Sequence, residues 1–212
     1  MIIGVTGGIG SGKSTVVSFF KKWGAQVINV DKLGWSVLEE KQQEIKKAFG
    51  RQIFNGVKVN RRELGRIVFA DPTKKRMLDS IIHPSLIKEL KKQVASYKLL
   101  KPGRCDDVIA STLSQLRGES LSTLVVVDCA LIYEWRIESW FDKIILVTSD
   151  YKNKLQRLIS SGYTQKEAKD RIQVQLPDWE KTADWIIENN SDFKILEQNA
   201  KKIWNSIVNR KL

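Results

Sequence analysis

A parallel α/β fold is predicted by three features of the sequence. A short apolar run leads into a glycine-rich turn and an amphipathic helix, a second strand pattern follows at once, and near-continuous β-branched runs recur later in the chain. Ile2 to Val5 reads as a buried strand. Val16, Phe19, Phe20 and Trp23 then keep the i, i+3, i+4, i+7 spacing of one helix face, and Gly24 is placed to stop that helix. Gln26 to Val30 supplies a second strand ending at Asp31, and a strand, helix, strand unit of this size is that of a parallel crossover.

From Ser36 to about Leu99 the pattern is helical, punctuated at Asn55-Gly56, at an Asn60 to Glu63 capping signal, at Asp71-Pro72 and at His83-Pro84. No strand is expected there. Leu100 to Thr123 is polar and irregular and reads as a connection or insertion, with Val108, Ile109, Leu113 and Leu116 able to share one side of a short helix. Strand patterns return at Leu124 to Val127, Ile144 to Val147 and Trp185 to Ile187. Between the last two lies a helical hairpin, Tyr151 to Ser161 and Thr164 to about Gln175, whose second helix opens on a Thr164 to Glu167 capping box. An amphipathic helix from Asp192 closes the chain.

With 212 residues, 42% of them apolar, the chain can bury one substantial core with a small appended region. Apolar runs such as Leu124 to Val127 are four residues long, far short of the roughly 20 that cross a bilayer. No basic stretch followed by a signal-type apolar segment opens the sequence, so a cytoplasmic site is expected. The net charge of +12, from 36 Lys and Arg against 24 Asp and Glu, favours anionic partners without choosing among nucleic acid, acidic membrane and phosphorylated metabolites. Basic residues are spread along the chain, with pairs such as Lys21-Lys22, Lys46-Lys47, Lys91-Lys92 and Lys201-Lys202, rather than gathered into a tail, the distribution of solvated helix faces. Cys105 and Cys129 have neither metal nor disulfide spacing and receive no chemistry.

Gly7, four residues, then Gly12-Lys13-Ser14 fits G-x-x-x-x-G-K-[ST], and it lies between the first strand and the first helix, where its chemistry requires it. Backbone N–H groups must wrap phosphates without obstruction by Cβ atoms, and the helix start carries positive dipole. The motif assigns Lys13 to the β- and γ-phosphates and Ser14 to Mg²⁺. It makes the chain a member of the P-loop class and predicts a three-layer fold with a mostly parallel central sheet. Reaction class needs further residues. Asp128 is not followed by glycine three residues later, where Leu131 stands, and no Asn-Lys-x-Asp guanine signature occurs, which argues against a signalling GTPase. The helical hairpin carrying Arg157 and Arg171 suits the mobile lid of a small-molecule kinase.

The segments Thr6 to Thr15 (TGGIGSGKST), Val27 to Asp31, Arg62 to Pro72 (RELGRIVFADP), Ile82-His83-Pro84 and Arg171-Ile172 to Gln175 resemble the dephospho-CoA kinase family along nearly the whole chain. The resemblance implies a core at about 1–35, 122–150 and 184–212, a helical acceptor-substrate region at about 36–121 and a lid at about 151–183. It implies ATP bound by Gly8, Ile9, Gly10, Ser11, Gly12, Lys13, Ser14 and Thr15, with Asn189 in an adenine-contacting loop and Ser14 on Mg²⁺. Asp31 is similar to the carboxylate that accepts the proton of the ribose 3′-hydroxyl, Arg157 to the lid arginine near the transferring phosphoryl group, and His83 to a histidine near the acceptor. The alternative readings are a helix cap for Asp31, a surface residue for Arg157, a turn or cap residue for His83 and a turn former for Asn189.

The family pattern is broken at Asn29, where an aspartate is usual, at Trp35, where an arginine is usual, along Cys129 to Ile132, and near Ser160 and Ser161, where a second lid arginine is missing. The segment from Leu100 to Thr123 is also longer than the family leads one to expect. Another P-loop nucleotide or metabolite kinase is the alternative reading. A basic nucleotide-dependent protein acting on nucleic acid is more distant, since no recognition-helix, zinc or base-stacking signature is present. A homologue without catalysis conflicts with the intact Lys13, Ser14, Asp31 and Arg157. The expected partners are ATP and dephospho-CoA, without nucleic acid or membrane, with a monomer favoured.

Overall fold

A computed structural model of the chain describes residues 1–99, 124–173 and 182–209. The predicted connection over Leu100 to Thr123, Cys105, and the end of the predicted second lid helix through Gln175 lie outside them. Five strands form one parallel sheet: β1 (Ile2–Thr6), β2 (Gln26–Asn29), β5 (Val125–Asp128), β6 (Lys143–Thr148) and β7 (Trp185–Glu188), in the spatial order β2-β5-β1-β6-β7. β1 is central, pairing Ile3 with Val126 on one side and with Lys143 on the other. Every strand therefore ends on the same edge of the sheet, where a parallel sheet places its ligands.

Alternation along each strand separates two apolar layers. Ile3, Val5, Val126, Ile145 and Ile187 face α1 (Lys13–Lys22) and the closing helix α8 (Phe193–Asn209), with Phe20 and Leu196 in the same cluster. Ile2, Ile28, Val125, Val127 and Ile144 face the other way, onto α2 (Val30–Glu40), α3 (Gln42–Phe49), α4 (Arg61–Ala70) and α5 (Pro72–Leu99). The three-layer fold expected from the sequence is present, with both sheet faces covered.

Three local readings are corrected. The second strand stops at Asn29 rather than Val30, because the Asn29 side chain accepts the Lys32 N–H at 2.8 Å and starts α2 at Val30, six residues before the expected helical stretch. A short antiparallel hairpin, β3 (Phe54–Asn55) with β4 (Lys58–Val59), lies where no strand was expected. It is turned by Gly56 with φ of 62°, so the Asn55-Gly56 punctuation is a hairpin turn. Finally, His83-Pro84 does not end a helix: α5 runs through Pro84. Proline removes one ladder bond there, and the 28-residue helix is held by packing of Ile82, Leu86, Leu90 and Val94 instead.

The hairpin of α6 (Tyr151–Ser160) and α7 (Gln165–Gln173) follows β6 as predicted, and the capping box is made in both directions, Thr164 N–H to Glu167 at 2.8 Å and Glu167 N–H to Thr164 Oγ1 at 3.2 Å. Arg171 of α7 lays its guanidinium 3.9 Å from the Phe69 ring centre and 4.6 Å from that of Tyr163, joining α7 to α4.

Phe20 is fully buried at the junction of α1, the sheet and α8, whereas Phe193 is 64% exposed and touches Phe19 edge-on. Phe20→Ala is expected to lower stability by about 3–5 kcal/mol, and Phe193→Ala by less than about 1 kcal/mol, as read by urea denaturation of the two variants against the parent chain.

Candidate active site

The phosphate loop occupies the end of β1. Gly7 has φ of 151°, and a Cβ there would run into the Val147 carbonyl of β6, so the residue is held to glycine by both conformation and space. Gly12, at φ of 93°, opens α1 with no side chain capping the helix. A Cβ on Gly12 would collide with the Asn189 amide. The free N–H groups of the first turn of α1 are thereby directed at the loop's mouth, with the positive end of the helix dipole behind them. Ser14 is exposed at that mouth, and the Ser11 hydroxyl is buried without a hydrogen-bond partner.

Lys13 points inward from the first residue of α1 and pairs with the Asp128 carboxylate at the end of β5. Both are largely removed from solvent, with side-chain exposures of 10% and 1%. Asn29 donates its amide N–H to the other Asp128 oxygen at 3.1 Å. The ends of β2 and β5 and the start of α1 are thus tied into one polar cluster. Asp31 stands in the first turn of α2, two residues beyond the Asn29 cap. It is open to solvent on one side, but surrounding protein raises its carboxyl pKa by desolvation; the Lys13 ammonium opposes that shift and the Asp128 carboxylate reinforces it. A carboxyl group so placed is a base whose basicity exceeds that of an ordinary aspartate.

On the other side of the loop, Arg157 of α6 is a bracket rather than a free cation. It donates to the Gly10 carbonyl at 3.0 Å, to Ser149 Oγ at 3.1 Å and to the Asn189 carbonyl at 2.7 Å. Asn189, just past β7 and buried, donates its side-chain N–H to the Ser11 carbonyl at 2.8 Å, and its backbone N–H goes to Thr148. Arg157 and Asn189 together clamp the phosphate loop against the ends of β6 and β7. These bonds hold both side chains beside the loop that the sequence assigns to the phosphates.

His83 lies apart from this cluster, on α5. Its Nδ1 accepts the Trp135 indole N–H at 3.1 Å, which places its proton on Nε2, 3.3 Å from Asp79. Burial lowers its pKa, with Asp79 opposing and Lys75 adding to the shift. Both ring nitrogens are engaged, so His83 is a neutral hydrogen-bonded member of a Lys75–Asp79–His83–Trp135 chain between α5 and the segment after β5. Cys129 stays inert, its thiol pushed up to about 12 by burial.

Asp128 is the functional residue that the sequence reading left out. It entered only as evidence against a GTPase, although its place at the end of a buried strand next to β1 is the position from which a carboxylate meets the phosphate-loop lysine. Among the described residues no group of three or more His, Cys, Asp and Glu is arranged to hold a metal ion. None of the described helices is long and apolar enough to cross a membrane.

A family model described as dephospho-CoA kinase matches residues 1–102 and 105–194. A dephospho-CoA kinase of Fusobacterium nucleatum is 36% identical across 98% of both chains, and one of Thermus thermophilus is 30% identical across 96% of this chain and 90% of its own. A crystal structure of a Thermus thermophilus protein superposes with a TM-score of 0.71 at 29% identity, covering 97% of this chain and 96% of that one. A dephospho-CoA kinase structure from Campylobacter jejuni, at 23% identity and a TM-score of 0.57, has the same fold. With a glycine loop, a lysine and two carboxylates gathered at the strand ends, and with matches that run the length of the chain, this sequence belongs to the dephospho-CoA kinase family.

Proposed function

We propose that this kinase transfers the γ-phosphoryl group of ATP to the ribose 3′-hydroxyl of dephospho-CoA, the last step of coenzyme A biosynthesis, with Asp31 as the base that orients and deprotonates that hydroxyl. The observation that carries the assignment is the placement of Asp31 beside Lys13 and Asp128 at the mouth of the phosphate loop, with its basicity raised by its surroundings. Lys13 exchanges its contact with Asp128 for the β- and γ-phosphates when ATP enters. Backbone N–H groups from Gly8 to Thr15 hold the phosphates, and the orphaned Ser11 hydroxyl and the uncapped start of α1 fit an anionic ligand there.

Mg²⁺ bound with ATP would be held by the exposed Ser14 hydroxyl and mainly by the phosphates themselves, neutralising charge on the transferring group. Arg157 keeps the loop in its phosphate-binding shape and sits one bond away from it through Gly10. The working units are a core at about 1–35, 122–150 and 184–212, an acceptor region at about 36–121 that includes His83, and a lid at about 151–183.

Release of ADP with ATP and Mg²⁺ is expected to be stimulated by dephospho-CoA and not by AMP, shikimate or single-stranded DNA. Stimulation by another acceptor alone would sink the substrate assignment. Lys13→Ala should abolish turnover. Asp31→Asn should retain ATP affinity by calorimetry while kcat falls by about 100-fold or more. Because the Asp31 carboxyl takes up its proton at a higher pH than an ordinary aspartate, kcat/KM of the parent chain falls on acidification, and Asp31→Asn loses that acid limb. Arg157→Ala should raise the KM for ATP by releasing Gly10, and a KM unchanged from the parent would remove the bracket role.

A further inference from the structure

Trp35 and Arg61 make an arrangement that the chemistry above does not use. Trp35 follows Asp31 by four residues on α2, so the two share one face of the helix, about 6 Å apart along its axis. The indole is 46% exposed. Single exposed aromatics are common, but this one carries a partner: the Arg61 guanidinium, from the first residue of α4, lies 4.4 Å from its ring centre. Among the described residues the arginine's ion pair is with Glu39, one further turn along α2, at 3.4 Å, with side-chain exposures of 45% and 54%. A surface pair this open holds weakly and yields to a better anion, and a guanidinium prefers the forked oxygens of a phosphate.

An aromatic surface with a loosely held guanidinium on it is suited to a nucleotide. The base stacks on the open part of the indole, and the phosphates take the arginine. We propose, resting on the acceptor assigned above, that Trp35 and Arg61 form the platform for the nucleotide end of that acceptor. Its base lies on Trp35, its diphosphate on Arg61, and its ribose hydroxyl is presented one helical turn away at Asp31. The tryptophan thereby supplies shape and stacking from α2, while the cation at this place is delivered from α4.

The test compares the parent chain with Trp35→Ala, Trp35→Phe and Arg61→Ala, using dephospho-CoA as acceptor, steady-state kinetics for both substrates, calorimetric Kd and thermal melting. Loss of a stacked base predicts that Trp35→Ala raises the Kd and KM for dephospho-CoA about tenfold or more while kcat, the KM for ATP and Tm stay put. Trp35→Phe should recover most of the loss. Arg61→Ala should raise the same two constants and flatten their dependence on salt. Equal acceptor affinity in Trp35→Ala and parent, with the parent active, overturns the platform and leaves the assigned reaction standing. So does a loss shared by both substrates with a lowered Tm, which marks a structural tether between α2 and α4. A parent chain that neither binds nor phosphorylates dephospho-CoA overturns the reaction and the platform together.

Discussion

The contact between Lys13 and Asp128 is the constraint on which the site's arrangement turns. An ammonium and a carboxylate are both held out of water where the first turn of α1 meets the end of β5. Such a pair is not an efficient source of stability, because desolvation consumes much of the attraction, but removing one partner leaves an uncompensated charge. Its consequence is positional. Lys13 is preorganised at the mouth of the loop, and Asn29, by holding the second Asp128 oxygen, fixes the end of β2 and with it the start of α2. Asp31 follows two residues later, so the carboxylate proposed above as the base inherits its location from the same pair.

Parallel topology explains why so few residues suffice. All five strands end on one edge, and each contributes one group there: Gly7 after β1, Asn29 at the end of β2, Asp128 at the end of β5, Ser149 after β6 and Asn189 after β7. Hydrogen bonds then run sideways across that edge, from Asn29 to Asp128 and from Arg157 to Ser149 and Asn189. A glycine loop set between these groups is clamped on both flanks. Its backbone therefore needs little rearrangement to receive phosphates, which is the sense in which a binding loop is preorganised.

Strands and the P-loop were legible in the sequence because their signals are local: β-branched runs for the sheet, glycines and lysine at fixed spacing for the loop, Thr164 and Glu167 for the cap of α7. What escaped depended on contacts distant along the chain. Asp128 gains its role only through a lysine 115 residues away, and Arg157 becomes a bracket only because Gly10 and Asn189 are brought to it. The early start of α2 turned on a single cap by Asn29, the residue that stands where the family pattern has an aspartate. An amide there can both accept the Lys32 N–H and donate to Asp128, whereas a carboxylate can only accept and would oppose the Asp128 charge. The departure is therefore compatible with the site.

Helix α4, from a segment diagnostic of the family, makes a cation–ring contact near each of its ends. At its first residue Arg61 meets Trp35 of α2, and two turns later Phe69 receives Arg171 of α7, whose guanidinium also fills the space above Gly65. A Cβ at position 65 would meet the end of that guanidinium at 2.8 Å, a contact the long arginine side chain can relieve by shifting. Burial lowers the pKa of Arg171, a cost borne by a cation with aromatic faces on two sides and no carboxylate salt bridge among the described residues. Cation and ring contacts of this kind are weakly directional compared with paired hydrogen bonds, and they tolerate sliding of one helix over another. The α6–α7 hairpin, proposed above as the lid, is consequently joined to α4 by a contact that can shift, whereas Arg157, with its three hydrogen bonds, holds it to the loop and strand ends by contacts that cannot shift without breaking.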